Sequence, residues 1–294
     1  MEAAAGTPTL PDTLRLGPVH LTVTDLDRSV RFYERSLGLR EQRRESQDAA
    51  LGAGGEDLLV LREQRDARPS GRHAGLYHFA LLHSSRLELA RALRRLSDTR
   101  TAISGASDHG ISEAIYLPDP DGNGIELAAD RPRERWGDLS DPTTIGPEPL
   151  DLRTLLETVV SEETQPHADR GLVVGHVHLH VGDVDRGLAH YRDVLGFEPM
   201  TVFPSAAFVS AGGYHHHVAF NTWRGEGVPP APADAVGLRH WTAELEKPEQ
   251  VAEVRDRVVA SGSEHEHRED GVLVRDPWSN AVLFTTNGGE PPWK

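Results

Sequence analysis

The sequence predicts an α+β fold of four βαβββ modules paired into two domains, and three observations carry that prediction. Residues 17–40 (GPVHLTVTDLDRSVRFYERSLGLR) match residues 175–198 (GHVHLHVGDVDRGLAHYRDVLGFE) at an offset of 158, so one half of the chain resembles the other. Each half holds a weaker second copy, beginning at Gly75 (GLYHFALL) and at Gly237 (GLRHWTA). Within every copy a short strand-like run precedes a helical stretch, a change of period from 2 to 3.6.

In the first module, Val19, Leu21 and Val23 alternate as one face of a half-buried strand. Leu26, Val30, Tyr33 and Leu37 follow at helical spacing, with Asp or Thr at the start and Gly38 as a left-handed stop. Residues 57–63 (DLLVLRE) read as the last strand of that module. The second module opens with the strand at 75–82 and continues with a helix over 87–96. Two further strands are joined by an Asp-Pro turn, DPDGNG at 119–124, with proline early and glycine late. Residues 131–170 carry Pro132, Pro142, Pro147 and Pro149 among many charges and read as a linker, with a short helix over 150–160. The expected domains are therefore 1–133 and 171–294, with 134–170 between them. The second half repeats the plan through Val177, Leu179 and Val181, a strand at 237–243, a helix over 251–259 and the turn DPWSNA at 276–281.

Composition bounds the function. The 294 residues include 46 acidic and 31 basic side chains, a net charge of −15, which argues against nucleic acid as a partner. With no cysteine, a disulfide framework, a thiolate metal site and a cysteine nucleophile are excluded together. Any metal must sit on histidine and carboxylate. No run approaches the ~18 apolar residues of a membrane span. The first dozen residues have neither a basic start nor an apolar run, so no targeting peptide is expected and the cytoplasm is the default compartment. A homo-oligomer is compatible with the chain but not fixed by it.

Strand parity then sorts the polar residues, because successive side chains point to opposite faces of a sheet. With Val19, Leu21 and Val23 against the helix, His20 faces the other way; with Tyr77, Phe79 and Leu81 on one face, His78 takes the opposite one. After the DPDGNG turn, Ile125 and Leu127 face the core and Glu126 points away. A lone strand histidine is more often a surface or satisfied core residue. Two histidines and a glutamate at matched parity on repeated units instead predict a metal site, the set that holds non-heme Fe(II) with coordination positions open.

The run from His109 through Tyr116, Asp119-Pro120 and Gly122 to Glu126 resembles the signature of extradiol ring-cleavage dioxygenases. With GPVHLTV, GLYHFAL and GGYHHHVAFNTW, nearly the whole chain from 15 to 286 is similar to bacterial catechol 2,3-dioxygenases of the vicinal oxygen chelate (glyoxalase/bleomycin resistance/dioxygenase) superfamily. The resemblance implies paired βαβββ modules curled around a metal. It implies His20, His78 and Glu126 as Fe(II) ligands, His109 as acid/base and Tyr116 as a hydrogen-bonding group. It further implies a catechol-type substrate and O2, opened to a muconic semialdehyde. Oxygen and nitrogen ligands accept Mn(II) as well as Fe(II).

The second half fails the same test. His178 answers to His20 and His240 to His78, but Leu283 stands where Glu126 would be, which predicts an incomplete site and a scaffolding domain. His215, His216 and His217 resemble a histidine pair beside the active site of some relatives, yet fall in that half, where a structural use is the plainer expectation. A weaker site on His178, His217 and His240 is the alternative. Two other functions stay open at this level. A glyoxalase-like isomerase or hydrolase would need a fourth ligand such as Glu63, which is expected in a surface ion pair instead. A non-catalytic small-molecule binding protein would need no metal at all.

Overall fold

The predicted alternation becomes strand β1 (Arg15–Val23), whose Val19, Leu21 and Val23 are fully buried in the core. Asp25 caps helix α1 (Leu26–Phe32) by accepting the Arg28 N–H at 2.9 Å. A wider final turn, Tyr33–Leu37, ends at Gly38 with φ 74°, as the left-handed stop requires. Strands β2 (Arg40–Arg44), β3 (Asp48–Gly52) and β4 (Asp57–Glu63) complete the first module, with β4 parallel to β1. These features come from a computed structural model describing residues 9–141 and 146–286.

The second module repeats the arrangement with β5 (Gly75–Leu82), α2 (Arg86–Asp98), β6 (Gly105–Asp108), β7 (Ser112–Pro118) and β8 (Gly124–Asp130). Strand β8 lies parallel to β5. The stretch expected as a linker is more tightly held than its composition suggested. Its β9 (Glu148–Pro149) pairs with β6, and α3 (Leu152–Glu157) packs on α2 through the buried Leu155. The third module is β10 (Val173–His180), α4 (Val184–Leu188), β11 (Glu198–Phe203), β12 (Ala206–Ser210) and β13 (Val218–Asn221). The fourth is β14 (Gly237–Leu245), α5 (Pro248–Ser261), β15 (His265–Arg268), β16 (Gly271–Arg275) and β17 (Ala281–Thr286). Among the described residues no helix is long and apolar enough to cross a membrane.

The modules pair across the halves rather than within them. Strand β1 runs antiparallel to β14, setting His20 opposite His240, and β5 runs antiparallel to β10, setting His78 opposite His178. The first module thus joins the fourth, and the second joins the third. Period-two patterning identifies the buried face of a strand but is silent about which partner takes its open edge. That silence is why the two sheet pairs do not coincide with the two sequence halves.

Each half is nonetheless tied together on its helical side by the Asp-Pro turn. Buried Asp119 accepts hydrogen bonds from Tyr33 Oη at 3.0 Å, Asn123 Nδ2 at 2.8 Å and the backbone N–H groups of Asp121 and Asn123. Asp276 repeats the device with Tyr191 Oη at 3.2 Å, Asn280 Nδ2 at 2.8 Å and the N–H groups of Trp278 and Asn280. Replacing either aspartate with alanine strands a buried phenol and two turn N–H groups, and is expected to cost about 3 kcal/mol. Urea unfolding should show it as a lower midpoint at unchanged slope.

Candidate metal centre

The turn that anchors Asp119 also delivers Glu126. Gly122, at φ 86°, makes the left-handed step of the turn, and Gly124 passes so close to β5 that a Cβ there would run into the Tyr77 carbonyl oxygen. Only glycine lets β8 lie flush beside β5. From that position Glu126 Oε2 lies 3.0 Å from His78 Nε2 on β5 and 3.2 Å from His176 Nε2 on β10. The two imidazole nitrogens are themselves 3.2 Å apart. All three side chains are buried, and they are the one group of three or more potential ligands that converges among the described residues.

With Glu126 ionised, hydrogen bonding alone cannot satisfy this triangle. If both Nε2 atoms carry protons to donate to Glu126, they confront each other as two donors. A shared cation removes the conflict. Metal–ligand bonds of about 2.1 Å put neighbouring corners of an octahedron about 3.0 Å apart, close to the three separations here. Burial favours the neutral, ligand form of His78, offset in part by Glu126. Burial alone would raise the Glu126 carboxyl, but His176 and His78 outweigh it and hold it well below the ordinary carboxylate range. The residues present therefore fit a divalent metal held on one face.

One expected ligand does not join them. His20 stacks on His240, ring centroids 3.9 Å apart at 21°, because β1 pairs with β14 in the other sheet pair. The third position belongs to His176, from the half expected to be a scaffold. Its sequence signal was present: His176, His178 and His180 alternate along β10 and so share a face. The repeat concealed it, since His176 aligns with Pro18. Around His20 and His240 the equivalent of Glu126 is Leu283, buried in an apolar cluster with Leu273 and Ala281. The alternative site on His178, His217 and His240 is not assembled either. His178 accepts from Asn221 Nδ2 at 2.9 Å, His217 Nδ1 meets Ser210 Oγ at 2.9 Å, and His240 belongs to the other sheet pair. Glu63 accepts the Leu26 N–H and pairs with Arg65 at 2.8 Å, the ion pair expected of it.

A cavity of about 560 Å³ opens on the triangle, within the range of small-molecule sites. His109 and Tyr116 line it, with His109 Nε2 2.9 Å from Tyr116 Oη. Burial, reinforced by the Glu126 carboxylate, raises the Tyr116 phenol above its ordinary range, while burial lowers the His109 imidazole. Opposite, the His216 ring lies 4.1 Å from that of His176. His215 Nε2 is 3.0 Å from Asp130 Oδ1, and its Nδ1 is 2.8 Å from His216 Nδ1. With His215 donating to the carboxylate, its Nδ1 accepts from His216, which leaves His216 Nε2 as a bare lone pair. Two of the three consecutive histidines therefore belong to the cavity, and only His217 is structural.

Comparisons with known proteins agree with this architecture. The model of the Glyoxalase/Bleomycin resistance protein/Dioxygenase superfamily matches residues 15–127 and again 173–289. The chain belongs to this superfamily. Among curated proteins it is 40% identical to a catechol-2,3-dioxygenase of Bacillus subtilis (strain 168) over 278 residues, 91% of this chain and 95% of that one. Among solved structures it resembles one from Bacillus subtilis subsp. subtilis str. 168, with TM-score 0.66 and 13% identity over 97% of this chain and 87% of that one. It also resembles glyoxalase I from Zea mays, with TM-score 0.60 and 17% identity over 94% and 93% of the two chains. At such identities the two structures speak for the superfamily fold alone. The curated relative adds that the chain is an enzyme of the dioxygenase kind.

Proposed function

We propose that this enzyme is an extradiol dioxygenase that uses non-heme Fe(II) and O2 to open catechol-type diols to a muconic semialdehyde, with Mn(II) as an acceptable substitute. The observation that carries the reading is the buried His78–Glu126–His176 triangle flanked by the His109–Tyr116 pair. Bound there, the metal supplies a Lewis-acidic centre with open positions, and two neutral imidazoles and one carboxylate leave it a residual charge of about +1 that favours a diol anion. The chain's own groups do the rest. His109, neutral and inside the cavity, is placed to take the diol proton and later return it. Tyr116 stays protonated, so it remains a donor toward a substrate oxygen.

The 40% identical relative supports this reaction over the isomerase alternative. Glu63, the residue an isomerase would recruit, is engaged in the other sheet pair at the start of α1. Protein purified with Fe(II) should turn catechol yellow in air and leave it colourless under argon. Stripping the metal with a chelator should abolish the colour, and returning Fe(II) should restore it. Yellow product formed without dioxygen, or turnover of a thiol hemiacetal in place of catechol, would remove ring cleavage as the activity.

A further inference from the structure

The far end of the cavity is built from rings. Phe208 lies edge-on to His216 at 5.1 Å and to His178 at 5.8 Å, and Trp223 lies edge-on to Tyr77 at 5.4 Å. Trp223 is fixed rather than loose, since its indole N–H donates to Ser205 Oγ at 3.2 Å and its backbone N–H to Asn221 Oδ1 at 3.0 Å. Despite those ties Trp223 is 54% exposed and Tyr77 39% exposed, large apolar faces left in water beside a buried site. Both line the cavity of the metal triangle.

Charge narrows the occupant. No lysine or arginine lines the cavity among the described residues. Arg224, the neighbour of Trp223, donates to the His73 carbonyl at 3.0 Å and is not part of the lining. A carboxylate on the substrate ring would thus be desolvated against aromatic faces without a counter-charge, inside a protein of net charge −15. The cavity, at about 560 Å³, also holds more than a bare diol ring.

We propose, resting on the ring-cleavage reading, that the preferred substrate is an uncharged catechol with an apolar ring substituent, selected by Trp223, Phe208 and Tyr77. The substituent covers the exposed aromatic faces while the diol occupies the triangle. Burying one or two carbons in such a pocket changes affinity by about tenfold or more, and a carboxylate of similar size meets an uncompensated desolvation cost.

The test uses metal-loaded protein under argon, so that binding is read without turnover, followed by admission of air. Calorimetric dissociation constants are compared for 4-ethylcatechol, catechol and 3,4-dihydroxybenzoate with the wild-type chain and with Trp223→Ala. The expected results are binding of 4-ethylcatechol at least tenfold tighter than 3,4-dihydroxybenzoate, and a preference for 4-ethylcatechol over catechol that falls about fivefold in Trp223→Ala. Equal binding of the ethyl and carboxyl compounds, or an unchanged preference in the variant, overturns the selectivity and leaves ring cleavage standing. Preferential binding of 4-ethylcatechol without semialdehyde in air upholds the apolar pocket and removes ring cleavage. If Trp223→Ala fails to fold, Phe208→Arg carries the same comparison, with improved relative binding of 3,4-dihydroxybenzoate expected.

Discussion

His176→Ala protein is expected to emerge from purification with its metal content lowered at least tenfold, and with ring cleavage lost accordingly. Removing even an outer partner of a metal ligand costs 10–100-fold in affinity, so removing a ligand from a set of three costs more. Glu126→Ala should match it, because the carboxylate is the only anion in the triangle and lies within 3.2 Å of both imidazoles. His20→Ala is the informative contrast. Its ring packs on His240 at 3.9 Å in the other sheet pair, so the variant should keep its full complement of metal and lose only about 1 kcal/mol of stability. Metal analysis of the three purified variants decides the question. Metal lost from His20→Ala and retained in His176→Ala would return the third ligand to β1.

That contrast also marks how far the residues themselves can be read. The strand at Val19 to Val23, the helix ending at Gly38 and the two Asp-Pro turns were all legible, because period, capping and turn chemistry are local properties of the chain. His78 and Glu126 were legible for the same reason, since strand parity within one module brings them to one face, whereas His109 and Tyr116 came from the resemblance to extradiol dioxygenases rather than from parity. The edge-to-edge pairing of β5 with β10 is not local. It joins residues about a hundred positions apart, and nothing in either strand names the other. His176 was therefore not singled out at all, and a structural use was the plainer expectation for His215 and His216, although Asp130 of the first half holds His215 in the cavity at 3.0 Å. The site is shared between the halves, and a reading that treats each half separately divides it.

His109→Ala is expected to keep its metal and lose about 10²- to 10⁴-fold in kcat, the usual contribution of a positioned acid/base. Retention follows from geometry, since His109 is not part of the triangle and its side chain is hydrogen-bonded to Tyr116 instead. Tyr116→Phe removes a single donor from the same pair and should cost less, about tenfold. The two losses should not simply add in the double variant, because the side chains are in direct contact, with Nε2 and Oη 2.9 Å apart, and removing one shifts the other. His216 is the second imidazole within reach of the same proton. It also lines the cavity, and its Nε2 is left unprotonated by the chain through His215 to Asp130. Should His109→Ala turn over catechol at the wild-type rate while His216→Ala is slowed by the same two to four orders of magnitude with metal retained, the proton passes on the β10 side of the cavity. The acid/base role then belongs to His216, with Asp130 acting through His215 as the positioning residue.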